Sequence, residues 1–242
     1  AFTGGVAKYV QLLVDSDGTT KRKMLDRIVK ADSVLLGEGK AILIEEFGKD
    51  YGIYFSILSA IARGRNTRAA IEQSIGREVG GYLSKLEDDY GIISKKQPLF
   101  EKTATKNVRY AIDDNFFMFW FRFIHKYNYI LEIEGYDNVK TIIERDYATF
   151  SGIMLERYFR NMLIEQHRCT RIGSWWDRKG ENEIDLIAEN ELEDTATFYE
   201  VKRKAANIDL DVLKSKAEVF LHATGKFHEY AISYSGLSME DM

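Results

Sequence analysis

Asp185, Glu200 and Lys202 are of the residue types that cleave phosphodiesters with a metal ion. Hard carboxylate oxygens hold Mg²⁺ or Mn²⁺, the metal lowers the pKa of a bound water, and an ammonium steadies the phosphate. Their spacing fits that chemistry. Asp185 lies in Glu183-Ile-Asp-Leu-Ile-Ala188, and a polar loop leads to Thr197-Phe-Tyr-Glu-Val-Lys202. Alternate side chains of a strand share a face, so Ile184, Leu186 and Ala188 are expected in a core with Asp185 opposite. In the second run Tyr199 and Val201 take the buried side, leaving Glu200 and Lys202 together, ~6–7 Å apart. Paired as a hairpin, the two runs bring two carboxylates and an ammonium together.

The pattern is short, so its weight rests on the elements around it. Ser151 to His167 has helical spacing, with Leu155, Phe159 and Met162 for a core. That helix presents Glu156, which on spacing alone can form an i+4 ion pair with Arg160. Thr170 to Trp176 reads as a strand and Leu210 to Leu221 as a helix carrying Lys214 and Lys216. Residues 146–234 thus run helix, three meandering strands, helix, strand.

Upstream the periodicity changes. Val6 to Leu13, Met24 to Leu36 and Ala41 to Phe47 read as helices, with turn chemistry at Asp15 to Thr20. Helices are expected over 53–62, 68–75 and 79–90, the second capped by Asn66-Thr67 and ended by Gly76. Strands follow at Ile92 to Lys96 and Val108 to Ile112, around a polar loop at Pro98 to Asn107. This is a winged helix-turn-helix layout, which places a third helix in a DNA groove. Residues 51–110 hold ten Lys and Arg against six Asp and Glu. Arg65, Arg68, Arg77, Lys85, Lys102, Lys106 and Arg109 are the candidate phosphate contacts there. Glu87-Asp-Asp89 would repel phosphate, so a winged helix for protein contacts or as a rigid spacer stands beside the DNA reading. The aromatic run Phe116 to Phe123 suits a helix buried on nearly every side, with His125 a satisfied histidine.

A chain of 242 residues with 45% hydrophobic residues can bury a large core, and a net charge of −4 gives no global nucleic-acid signal. No apolar run reaches the ~18–20 residues that cross a membrane. The opening residues have neither the basic start nor the apolar segment of a signal peptide. The one cysteine, Cys169, rules out an internal disulfide and a Cys-based zinc site and fits a reducing cytoplasm. Gly-x-Ser-x-Gly and His-Glu-x-x-His are absent, so neither serine-hydrolase nor zincin chemistry is indicated.

Asp185 followed by Glu200-x-Lys202 resembles the signature of the PD-(D/E)XK nuclease-like superfamily. A longer series runs nearly end to end: Gly4-Gly5-Val-x-x-Tyr9, Tyr54-x-Ser-Ile-Leu-x-Ala-Ile-Ala-x-Gly64, Tyr82-Leu-x-x-Leu86, Asp113-Asp-Asn-Phe-x-x-Phe-Trp-Phe-x-Phe123, Glu183-Ile-Asp185 and Glu200-Val-Lys202. With it the chain resembles the C-terminal half of archaeal and bacterial AAA+-type ATPases whose C-terminal region is nuclease-like. Ala7 departs from the proline expected there. The resemblance implies an α+β multidomain chain. Residues 1–48 would be a helical lid remnant, 49–112 a winged helix, 113–145 an aromatic helical connector and 146–242 an α/β restriction-endonuclease-like domain. It further implies that Asp185, Glu200, Glu156 and the Val201 carbonyl hold Mg²⁺ or Mn²⁺. Lys202 would orient water or offset phosphate charge, assisted by Lys216. DNA and an ATPase domain outside this chain are the implied partners, since no Gly-x-x-x-x-Gly-Lys-Ser/Thr is present. Two functions follow as expectations: a metal-dependent deoxyribonuclease, or a non-catalytic DNA- or protein-binding regulatory module of the ATPase.

Overall fold

A computed structural model describes residues 2–102 and 105–242, so Ala1 and, within the expected wing loop, Thr103 and Ala104 lie outside the described residues. The chain is mixed α and β and divides into two compact units, Ala1–Lys96 with Arg109–Tyr147 and Gln97–Val108 with Ala148–Met242. No helix among the described residues is long and apolar enough to cross a membrane.

The first unit opens with α1 (Ala7–Asp15), α2 (Lys21–Ile28) and α3 (Val34–Phe47). The helix expected over Met24 to Leu36 is therefore two. Its apolar spacing continues, but the backbone turns at Val29 to Ser33, with Asp32 at φ +60° and Val29 fully buried. Next come α4 (Tyr51–Ala62), α5 (Arg68–Ile75), α6 (Gly80–Ser84) and the hairpin strands β1 (Ile93–Lys96) and β2 (Arg109–Ile112). The α5 boundaries follow local chemistry. Thr67 accepts the Ala70 N–H at its start, and Gly76 ends it at φ +78°, where a side chain would be strained. In the hairpin Ile93 pairs with Ile112 and Lys96 with Arg109. Last are α7 (Asn115–Phe119), which passes into wide π-type turns over Trp120–His125, then α8 (Asn128–Leu131) and the start of α9 (Tyr136–Glu165).

The aromatic run is core. Phe116, Phe119, Trp120, Phe121 and Phe123 are all buried, and Trp120 Nε1 donates to the Leu36 carbonyl at 2.9 Å. His125 stacks on Trp120 with centroids 5.4 Å apart, and burial pushes its pKa below the usual histidine value. Trp120 also fills the space left by Gly39 on α3. A Cβ at Gly39 would lie 2.6–2.8 Å from three indole atoms. Gly→Ala within a helix ordinarily stabilises by about 1 kcal/mol. Here the overlap reverses the sign: Gly39→Ala is expected to destabilise by about 2 kcal/mol. Gly37→Ala, two residues away with open space at that position, should keep the ordinary gain. Urea unfolding of the two variants, followed by tryptophan fluorescence, checks the opposite signs.

The second unit holds the rest of α9, then β3 (Arg171–Trp176), β4 (Glu183–Asn190), β5 (Thr195–Val201), α10 (Leu210–Thr224) and β6 (Ala231–Leu237). The helix expected from Ser151 is thus the C-terminal half of a longer one. Val139, Ile143, Phe150 and Met154 extend its apolar series backwards without a break. The sheet order is β3-β4-β5-β6, antiparallel except for the β5–β6 pair, whose parallel crossover is α10. Ile184, Ile187, Ala196 and Phe198 pack with Leu213, Ala217 and Phe220 of α10. Leu186 and Val201 pack with Leu155, Phe159 and Leu163 of α9. Both faces of the sheet are therefore covered, and Ile184 and Leu186, expected on one face, lie on opposite ones.

Candidate active site

A β-bulge explains that reversal and builds the site. The β3–β4 register shifts between Gly173 and Trp175, so Ser174 alone stands opposite Asp185 and Leu186. Ser174 Oγ donates to the Asp185 carbonyl at 2.7 Å. On the other side, the β4–β5 pairing runs from Asn190↔Thr195 to Leu186↔Tyr199 and ends there. Beyond that point the Val201 N–H donates to Asp185 Oδ2 at 2.8 Å, a side chain standing where a backbone acceptor would otherwise be.

Into this opening comes Lys202. Its Nζ lies 3.1 Å from Glu200 Oε1 and 3.5 Å from Asp185 Oδ2. Glu200 is buried, and its second oxygen accepts the Asp209 N–H at 2.6 Å. Asp209 is the N-cap of α10, its carboxylate accepting the N–H groups of Asp211 and Val212. The same helix start therefore fixes the orientation of Glu200.

Electrostatics couple a fourth residue to these. Glu156 is pushed up to about 7, chiefly by burial and then by the charges of Asp185 and Glu183, with Lys202 and Arg157 opposing. Burial also raises the Asp185 carboxyl above its ordinary value, against the Val201 N–H and Lys202. For Lys202, burial favours the neutral amine, but Asp185 and Glu200 outweigh it and hold the pKa above the usual lysine value. At neutral pH Lys202 is a fixed cation, and Glu156 is poised between its protonated and ionised forms.

The structure thus brings together Asp185, Glu200 and Lys202, with Glu156 near enough to feel the Asp185 and Lys202 charges. Among the described residues no ion pair joins Glu156 to Arg160. Lys216, half-buried on α10, makes no ion pair to these carboxylates among the described residues, and Lys214 pairs with Asp211 instead. Of the basic candidates, Arg65, Arg68, Arg77, Lys85 and Arg109 belong to the first unit and Lys102 and Lys106 to the second. Arg68 is paired to Glu72 at 2.8 Å, and Arg77 lies over the Tyr82 ring. The polar loop between the hairpin strands belongs to the second unit: the Leu99 N–H donates to the Ser174 carbonyl, and Trp176 Nε1 to Asn107 Oδ1. Glu87, expected to repel phosphate, is neutralised by Lys95 at 2.5 Å. Ser174 and Asp209 contribute to the site without having been singled out from sequence. Only Asp209 carried a signal, as an N-cap residue before an apolar helix.

The donor chemistry suits a divalent cation. Asp185 and Glu200 converge on one positive nitrogen, and the Glu156 carboxyl near Asp185 resists ionisation, chiefly through burial and then through the Asp185 and Glu183 charges. All are hard oxygen donors, as Mg²⁺ requires. Among the described residues, no three Asp, Glu, His or Cys side chains are already gathered as a cation ligand set. The fit is to two carboxylates, with Glu156 within reach of the Asp185 charge.

Residues 120–218 match the family DUF234, described as archaeal and bacterial proteins of unknown function, and that span includes all four site residues. An uncharacterised protein of Methanocaldococcus jannaschii is 34% identical over 207 residues, 81% of this chain. The chain spans 46% of that relative's length. No solved structure matches the chain.

Proposed function

We propose that the second unit is a PD-(D/E)XK-type nuclease module that hydrolyses DNA phosphodiesters with Mg²⁺ or Mn²⁺. It would belong to a longer ATPase-associated protein, for which the first unit supplies a helical lid and a winged helix. One observation carries this reading: Lys202 Nζ lies between Asp185 and Glu200 where the β4–β5 ladder opens. The order of elements from α9 to β6 supports it, as does the placing of Glu156 beside Asp185.

Asp185 and Glu200, with Glu156 and the Val201 carbonyl, are the groups that would hold the cation. Bound there, it would acidify water and offset phosphate charge. Lys202 stays protonated and positions its N–H donors toward an oxyanion, stabilising negative charge that grows in the transition state. Glu156 can hold or release a proton near pH 7, so it can take one from an approaching water or yield it when a cation arrives. Asp209 and Ser174 keep the backbone and Glu200 in place.

A second reading, a non-catalytic regulatory module, has its own observation. Both carboxylates are engaged by the chain itself, through Lys202, the Val201 N–H and the Asp209 N–H. Cleavage of supercoiled plasmid and single-stranded DNA with Mn²⁺ separates the two. Cleavage by the wild type, lost in correctly folded Asp185→Asn and Lys202→Met variants, is the expected result. No cleavage by any of them, together with no calorimetric Mn²⁺ binding, would give the second reading the field.

A further inference from the structure

Within the first unit, a cavity of about 290 Å³ is lined by Arg63, Arg65, Arg122, Lys126 and Asp146, with no apolar residue among them. That volume is at the small end of ligand pockets, which span ~300–1,000 Å³. The arginines are anchored rather than free. Arg63 Nε donates to the Ser59 carbonyl and Arg122 Nη1 to the Ala62 carbonyl, each at 3.1 Å. Both acceptors lie in the last turn of α4, where carbonyls lack intrahelical partners and carry the negative end of the helix dipole. A guanidinium has five N–H donors, so one bond to the helix fixes its place and leaves others to aim at a guest.

The charges do not balance within the cavity. Among the described residues, no salt bridge joins these four cations to a carboxylate. The one acid, Asp146, has both oxygens held by a fifth cation, Arg145, at 2.7 and 2.8 Å. Arg145 keeps that carboxyl below the usual range, with Lys126 and Arg122 adding to the effect. Four cations gathered in one polar hollow repel one another, and a multiply charged anion relieves that repulsion.

We propose that this cavity binds a phosphate group, held by Arg63, Arg65 and Arg122 with Lys126 as a further point charge. Paired N–H donors of guanidinium match phosphate oxygens two at a time, and the all-charged lining reads charge rather than a base or an apolar group. The phosphate can belong to a nucleic-acid backbone or to a free phosphate such as a nucleotide's terminal group. The site does not depend on the nuclease reading, which concerns the second unit. Of these four cations, Arg65 alone was a candidate phosphate contact on sequence grounds.

Isothermal titration calorimetry at low salt, with inorganic pyrophosphate, ADP and a single-stranded deoxyoligonucleotide as probes, tests the proposal on the full chain. At least one probe should bind. Arg63→Gln, Arg65→Gln and Lys126→Gln should each weaken that binding about 10- to 100-fold. Lys30→Gln, an exposed lysine outside the cavity, should leave it unchanged and so controls for net charge. Among the described residues neither the Arg65 nor the Lys126 side chain bonds to α4, where only the Arg65 main-chain N–H donates to the Ala60 carbonyl, so their variants stay readable even if Arg63→Gln loosens the helix end. Tighter binding of the oligonucleotide, falling steeply with salt, assigns the site to a strand backbone. Tighter binding of pyrophosphate or ADP assigns it to a free phosphate. No binding of any probe at millimolar concentration, or equal affinity in all variants, overturns the proposal.

Discussion

Glu156→Gln is expected to stabilise the protein by about 3 kcal/mol at pH 8 and to change little at pH 4. The Glu156 carboxyl is pushed from 4.5 up to about 7 in the folded chain, chiefly by burial. A folded-state pKa above the unfolded one means that the native state binds the proton more tightly. Between about pH 4.5 and 7 the unfolded chain has released this proton while the folded chain keeps it, so stability falls as pH rises. Above 7 both forms are ionised and the penalty is complete. Glutamine carries no such charge and should remove this part of the slope. Urea unfolding of both proteins at pH 4, 6 and 8 measures it. A wild type that lost no stability relative to the variant across that window would refute the buried, proton-holding picture of Glu156. Millimolar Mg²⁺ should narrow the gap at pH 8, because a bound cation replaces the missing positive charge.

Phe220→Ala is expected to cost about 3–5 kcal/mol and to unfold much of the second unit at ordinary temperature. Phe220 is fully buried and its ring meets Trp175 and Phe198 at 5.5 Å and Phe227 at 5.8 Å. Truncation removes edge-to-face contacts with two of them and leaves a cavity between α10 and the sheet. The two halves of the loss can be separated. Phe220→Leu refills most of the volume without the ring, so it should recover more than half of the stability. Near-ultraviolet circular dichroism, which senses the packing of Trp175 and Trp176, provides the readout. A Phe220→Ala protein melting within 2 °C of wild type would show that the helix does not hold the sheet in the way described.

Local signals were legible where two-residue or four-residue spacing decides the outcome. Thr67 and Gly76 mark both ends of α5 because a hydroxyl cap and a left-handed glycine act within one turn. Glu200 and Lys202 meet because alternate residues share a strand face, and Asp185 joins them because the two runs pair. What the pattern did not carry was long-range. The bulge opposite Ser174 inserts one extra residue into β4, and no local composition announces it; hence the faces of Ile184 and Leu186 were misjudged. Nor does the spacing of Met24 to Leu36 reveal the turn at Asp32, since the apolar positions on both sides stay compatible with one helix. The basic cavity joins residues 63–65 to residues 122–126 and 146, and only the packing of α4 against the aromatic segment brings them together. Lys216, a suitable residue type on a suitable helix, makes no ion pair to the site carboxylates among the described residues.

The segment Gln97–Val108 leaves one unit and is built into the other, where its Leu99 N–H bonds to β3, an outer strand of the sheet. Its partner Ser174 follows 75 residues later in the chain. At a translation rate of ~5–20 residues per second, the ribosome delivers the segment roughly 4–15 s before the strand it will cover. During that interval it can only wait, tethered at both ends by β1 and β2. An exposed strand edge invites pairing with other chains. Here the order of synthesis works against that hazard, because the cover is made before the edge.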